Sequence, residues 1–455
     1  MDKFISESVF DKVRRNYVFD IDEYDFDIPY IKGFHTFKLN KKYFSYRVIE
    51  FHSEFNQPIS KKFIEIFKNI NAIYFWNNFN QPINKLPNHI QIISIYGDFN
   101  QPLDNLPENL VHLELGDENG FEVSLDNLPS NLKYLLMESS SFNGNLDNLP
   151  RRLKYLHIGC YYNQPINNLP RNLKKLKFNE CSIFNKSIDN LPEELDKLEL
   201  GENFNQPIDN LPKKLRVLKL GNNFNQELNN LPESLEKLYI GDYFNCSLEN
   251  LPENCKKIFF SSQYNNSTVF SPHVEEIFFG CRFNKTVDNL NYGLKKLFLD
   301  YDFNIPIDNL PITLEVLVLG FNFNLSIDML PYGLKIISFG ERFNHPIDNL
   351  PDSIEVILFG FRHNKKNVLE NFGNKCDFSC TISKLPKNIK KIYVNNISDH
   401  FKEYPDIEIC LRNKYFCIYN LYLVFLIYQY FLLLLENLLL LYHPIYDLHS
   451  YILSI

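Results

Sequence analysis

A frame of about twenty residues recurs through this chain from about residue 55 to about residue 360, and no other feature restricts its fold so tightly. Residues 201–220 read GENFNQPIDNLPKKLRVLKL and residues 221–240 read GNNFNQELNNLPESLEKLYI. A Phe-Asn or Tyr-Asn dyad marks the register. It stands at Phe79, Phe99, Phe142, Tyr162, Phe184, Phe204, Phe224, Phe244, Tyr264, Phe283, Phe303, Phe323 and Phe343. Its Asn is lost at Phe121-Glu122 and its Phe at His363-Asn364. The unit is F-N-x-P-I-D-N-L-P-x-x-L-x-x-L-x-L-G-x-x.

Twenty residues leave no room for a strand and a full helix together. The alternation at Leu218 and Leu220 predicts a short strand with both leucines on one face. Gly201 or Gly221 after it permits a tight bend, and Leu-Pro before it resists helix and starts an extended segment. The Pro of F-N-x-P removes a backbone donor, so that stretch is not a central strand. One coil cannot bury both of its faces, whereas stacked coils cover one another. The expected fold is therefore a β-rich solenoid with one short parallel strand per coil. Each dyad Phe stacks on its neighbours. The Asn side chains at 205, 225, 245, 284, 304, 324 and 344 form a buried ladder that bonds turn backbone.

These residues resemble the FNIP repeat, named after Phe-Asn-Ile-Pro; Phe303-Asn304-Ile305-Pro306 carries all four letters. Such proteins are abundant in social amoebae and in giant viruses that infect amoebae. The unit is also similar to the shortest leucine-rich repeats. The lead-in is similar too, an acidic-aromatic stretch from Asp20 to Pro29 followed by Tyr30-Ile31-Lys32-Gly33. The resemblance implies a leucine-rich-repeat-like solenoid that binds proteins. Relatives with an F-box before the repeats imply a second reading, the substrate-recognition subunit of a ubiquitin ligase. Here Phe4, Ile5, Val9, Phe10 and Val13 suggest one short amphipathic helix instead. A third reading is a structural protein that self-associates.

The chain divides into an N-terminal cap (1–54), the solenoid (55–364), a degenerate last coil and linker (365–410, with Ile389, Ile392 and Val394) and an apolar C-terminal segment (411–455). Residues 415–435 hold no charge, long enough to cross a bilayer as a helix, and Arg412 and Lys414 before them place the repeats on the cytoplasmic side. The alternative is that this segment folds back over the last coils.

Solenoids bind through the strand face that curves inward. Its outward positions are mixed and polar in the first half, through Glu114, His157, Lys177 and Glu199. They turn apolar at Tyr239, Phe259, Phe278, Phe298 and Val318, the candidate partner-binding stripe. Lys175, Lys197, Lys237, Lys257 and Lys296 form a neighbouring basic column.

The chemistry of catalysis is missing from the sequence. No phosphate loop, dinucleotide fingerprint, zinc-protease or nucleophile-elbow motif occurs. The nine cysteines lack zinc spacing and are expected to be free thiols or small buried hydrophobes. Asp20, Asp22, Glu23, Asp25 and Asp27 lack the Gly and terminal Glu of a calcium loop. The recurrent Asp189, Asp209, Asp308 and Asp348 are expected to bond turn amides. The reading is a non-enzyme with no cofactor and no metal. A net charge of −8 gives no reason to expect nucleic acid. Asn185, Asn245, Asn284 and Asn324 lie in glycosylation sequons, yet each is a ladder Asn; the expected burial argues for a cytoplasmic repeat domain.

Overall fold

The computed structural model describes residues 31–40, 44–51, 55–60, 64, 67–76, 78–116, 123–137, 141–266, 269–360, 378–380, 382–394 and 408–411. The N-terminal helix expected around Phe4–Val13, the acidic run 20–27, Phe121-Glu122, His363-Asn364 and residues 415–435 lie outside the described residues. Among the described residues no helix is long and apolar enough to cross a membrane.

Among the described residues nineteen strands line up in chain order. They are β1 (Ile31–Asn40), β2 (Phe44–Phe51), β3 (Ala72–Phe75), β4 (Ile92–Tyr96), β5 (His112–Gly116), β6 (Tyr134–Leu136), β7 (Tyr155–Ile158), β8 (Lys175–Phe178), β9 (Lys197–Glu199) and β10 (Val217–Lys219). They continue through β11 (Lys237–Ile240), β12 (Lys257–Phe260), β13 (Glu276–Phe278), β14 (Lys296–Phe298), β15 (Val316–Val318), β16 (Ile336–Phe339), β17 (Val356–Phe359), β18 (Lys391–Val394) and β19 (Glu408–Leu411). β1 is antiparallel to β2, and from β2 onward each strand is parallel to the next. Residues 31–40 and 44–51 of the lead-in are thus strands of the sheet. The described helical backbone is limited to Ile64 and a 3₁₀ turn at Phe67–Asn69.

The register matches equivalent repeat positions, as in Leu218 beside Leu198 and Leu238. Leu215, Leu218 and Leu220 are buried, so the alternation did mark the core face. The Leu-Pro segment departs from expectation. Pro opens a turn closed by the Leu three residues on, as Leu215 N–H to Pro212 C=O (3.1 Å) and Leu235 N–H to Pro232 C=O (3.0 Å). Proline has no N–H to lose, and its carbonyl remains free to accept.

The dyad rings form a buried column. Phe184, Phe204, Phe224 and Phe244 stack with centroids 6.0–6.3 Å apart, and Phe283, Phe303, Phe323 and Phe343 with 6.1–6.3 Å. Phe51, Phe55, Phe75 and Phe79 begin the column, and Phe378 continues it.

Beside the rings, each Asn Oδ1 accepts the backbone N–H of the Asn one coil later: Asn205 to Asn225 at 2.9 Å, Asn225 to Asn245 at 2.8 Å, Asn284 to Asn304 at 3.0 Å and Asn304 to Asn324 at 3.0 Å. Asn324 serves Asn344 at 2.9 Å, and Asn344 serves Ser379 at 2.8 Å. The ladder exists, but it is not buried. Asn185, Asn245, Asn284 and Asn324 are exposed, because the Phe takes the interior and leaves its neighbour at the rim. Burial, expected at these sequons, is absent and does not bar a glycan there.

A second rim ladder joins the D-N pairs. Asn210 Nδ2 donates to Asp189 (3.1 Å) and Asn230 to Asp209 (3.2 Å). Bonds from Ser187 and Asn210 hold the Asp189 carboxyl below its usual value. Asp348 does bond turn amides, accepting from Ser383 and Lys384 at 2.7 and 2.9 Å.

The glycine after the strand is needed for close approach. A Cβ on Gly221 would sit 1.8 Å from the Gly201 carbonyl oxygen, and one on Gly241 2.0 Å from that of Gly221. Backbone cannot yield to that contact as a side chain would.

The two ladders predict unequal costs. Phe204→Ala is expected to lower stability by about 3–5 kcal/mol, Asn205→Ala by about 1 kcal/mol. Denaturant midpoints of the two variants check the ratio; equal losses would show that the rim bonds, not the rings, hold the coils.

Candidate functional site

The strand face presents two outward columns, and the coils fan so as to curve toward it. Ring centroids are 6.0–6.3 Å apart along the dyad column, wider than the strand spacing of about 4.8 Å. Along the outward stripe they close to 4.4 Å (Tyr239–Phe259), 4.4 Å (Phe259–Phe278) and 4.1 Å (Phe278–Phe298). The coils are therefore splayed on the dyad side and crowded on the strand side.

That crowding changes the character of the outward positions. All five stripe residues are brought together in one register, Tyr239 beside Phe259, Phe278, Phe298 and Val318 in turn. Tyr239, Phe259 and Phe278 are half-buried, while Phe298 (8%) and Val318 (7%) are buried. Burial, and then the Glu199 charge, push the Tyr239 phenol up.

The polar half of the stripe is more enclosed still. Ser94, Glu114, His157, Lys177 and Glu199 are all buried, although alternation alone placed them outward. Ser94 Oγ donates to Glu114 (2.9 Å), as does the Tyr96 hydroxyl. Lys197 and Lys175 lie 2.8 and 3.8 Å from Glu199, and Lys219 lies 2.9 Å from Glu180. Burial raises the Glu199 carboxyl, but Lys197, Lys175, Lys177 and Lys219 outweigh it and hold the group well below its usual value. Within the expected basic column Lys175 and Lys197 thus meet Glu199, and Lys257 and Lys296 both meet Glu276, at 3.1 and 3.0 Å. Among the described residues no group of His, Cys, Asp and Glu could hold a metal ion.

Two features escaped the sequence reading. Cys160 and Cys181, one coil apart with Cα atoms 5.2 Å apart, form a disulfide where free thiols were expected; their separation of 21 residues was the available signal. Cys255 does replace a core Leu, and burial pushes its thiol up to about 12. Second, the residue after the first Leu of L-x-x-L alternates in charge from Lys174 onward. It runs Lys174, Asp196, Arg216, Glu236, Lys256, Glu275, Lys295, Glu315, Lys335, Glu355 and, in the last coil, Lys390. Arg216 bonds Asp196 (2.5 Å), Lys295 bonds Glu275 (2.8 Å) and Lys390 bonds Glu355 (2.6 Å). A cleft of about 560 Å³ follows this flank, between Lys256 and Lys335, away from the stripe.

His157 yields a pH prediction. Burial and the Lys177 charge lower its imidazole well below 6.5, with Lys175 acting in the same sense and Glu199 and Glu114 against it. The unfolded chain takes up a proton below 6.5 that the folded chain refuses. The contribution is full above that value and is lost as pH falls. One pH unit lower, the wild type should have lost roughly 1.4 kcal/mol that a His157→Gln variant does not lose. Paired unfolding curves at two pH values test this; parallel losses would sink it.

The model of the FNIP repeat matches residues 79–118, 99–140, 142–181, 184–223, 209–243, 224–263 and 321–362. No curated protein matches the chain. Among solved structures it is similar to CroV588, a circular leucine-rich-repeat protein of a giant virus, at 27% identity and a TM-score of 0.48, over 76% of this chain and 72% of that one. It is also similar to the functional domain of InlJ from Listeria monocytogenes, which includes a cysteine ladder (11% identity, TM-score 0.43, 66% of this chain and 70% of that one). YopM from Yersinia enterocolitica is a third (18% identity, TM-score 0.34, 70% and 81%).

Proposed function

The chain belongs to the FNIP-repeat proteins, and from that premise we propose that it is a non-catalytic scaffold that binds a protein partner through its inward strand face. The observation that carries this reading is the half-buried stack of Tyr239, Phe259 and Phe278. These rings are held rigid by one another at 4.4 Å yet keep part of their surface for a partner. A stiff aromatic strip loses little entropy on docking and supplies the kind of residue that dominates interface energies. Phe298 and Val318 belong to the proposed site chiefly as supports, since they are buried in the free chain. The solenoid of residues 55–364 is proposed as the binding body, the lead-in and last coil as its caps, and the cytoplasm as its compartment. Residues 415–435 are proposed as a secondary localising element.

Phe259 sits mid-stripe, so Phe259→Lys is expected to reduce recovery of specific proximity-labelled proteins at least tenfold. The substitution forfeits two stacking contacts worth together about 2 kcal/mol, which leaves the chain folded. The companion change Phe278→Asp with Phe298→Asp is expected to lower the melting temperature as well, because Phe298 is buried. Unchanged recovery with Phe259→Lys would rule out the stripe. A further comparison ends the chain at residue 410: recovery that collapses without the tail would move the determinant to localisation.

A further inference from the structure

The alternating-charge flank breaks at its N-terminal end. Before Lys174 the same column holds Lys154 and then Lys133, so three lysines lie on consecutive coils. Backbone bonds of 2.8 Å from Lys154 N–H to Lys133 and from Lys174 N–H to Lys154 fix them one above another. Arg151, Arg152 and Arg171, all exposed, crowd the adjoining turn. Six of the Lys and Arg between residues 128 and 179 stand on this flank or its turn, against two Asp and Glu in the same span, in a chain whose net charge is −8; the other two, Lys175 and Lys177, are buried on the strand face around Glu199.

Elsewhere on this flank cations meet anions; Arg216, Lys256, Lys295, Lys335 and Lys390 each contact a carboxylate. On the three coils leading into β6, β7 and β8, only Lys174 does among the described residues, through Glu194 at 2.5 Å. Arg152 turns to the Asn131 side chain (2.6 Å). Lys133, Lys154, Arg151 and Arg171 pair with no acidic side chain among the described residues. Like charges in one column of a parallel stack cost stability. A sequence that follows a local rule over eleven coils and breaks it over the next two marks a place where something other than stability has been served.

We propose that this basic flank of β6–β8 is a second docking surface, and that it takes a short run of Asp and Glu in an extended segment of another protein. Carboxylates on one side of an extended segment repeat about every 6.8 Å. The lysine tips, on flexible four-carbon stems over coils about 4.8 Å apart, span that interval. Single-stranded nucleic acid fits less well. Its binding surfaces interleave cations with exposed aromatics, and here the exposed Tyr161 lies beside the Phe-Asn dyad at the other turn.

The test uses the full chain and a fluorescent decaglutamate peptide, read by polarisation at low and high salt. Decaglutamate should bind at low salt and be released as salt rises. Lys133→Glu with Arg171→Glu should weaken binding at least tenfold, whereas Lys335→Glu should not. Lys154→Glu is the sharper arm, because it sets a carboxylate between Lys133 and Lys174 and so extends the alternation by two coils. It should lower peptide affinity while leaving the thermal midpoint unchanged or raised. The proposal is overturned by absence of binding, by binding indifferent to these changes, or by an oligouridine that binds more tightly than decaglutamate. It also fails if decaglutamate binds at least tenfold more tightly once Asp20, Asp22, Glu23, Asp25 and Asp27 are neutralised to Asn and Gln. That result would assign the flank to this chain's own acidic segment.

Discussion

Each coil derives its burial from the coils above and below it, and the stacked ring at the dyad position is where this dependence is most concentrated. Phe204 is fully buried, yet its flat faces are covered by Phe184 and Phe224, each twenty residues away. No local element could provide that cover. The Leu columns, the carbonyl-to-amide bonds of the sheet and the Asn rim repeat the same arrangement in different chemistry. Folding in such a chain is a nearest-neighbour problem, with stability added interface by interface.

The ring column also records the shape. A stacked aromatic column held at 6.0–6.3 Å cannot match strands at about 4.8 Å unless the coils splay. Splaying crowds the strand side, which explains two things that look unrelated. It presses the Tyr239–Phe298 rings into contact at 4.1–4.4 Å. It also submerges Glu114, His157 and Glu199, which would be solvated on a flat sheet. Buried charges of this kind persist only when paired, and the lysines around Glu199 meet that need.

Much of this was legible from residues alone, because a repeat turns chemistry into geometry. Leu218 and Leu220 alternate, so they mark the core face; Phe204 and Phe224 recur, so they stack. What was not legible depended on curvature or on neighbouring coils. Alternation says that Glu199 points away from the core but not that a curved stack closes over it. The dyad says that Asn245 stands beside a buried ring but not that it lies at the rim. Gly221 reads as a residue for a tight bend; its reason is instead the carbonyl of Gly201, a coil away. Cys160 and Cys181 look unpaired along the chain and become neighbours only when coils are superposed.

A repeat raises a problem that its own regularity cannot solve. Phe, Leu and Asn columns are nearly identical from coil to coil, so a stack that skipped or exchanged a coil would bury almost the same surface. The column from Lys174 to Lys390 is not identical from coil to coil, because its sign changes at every step. Omitting one coil would set Glu236 against Glu275, or Lys295 against Lys335, and like charges facing across one strand spacing oppose the error. Each pair is worth little on a solvated flank. Their number and strict order still discriminate between alignments that the core cannot tell apart. The apolar columns therefore supply the drive to stack, and the charge column supplies the order of stacking.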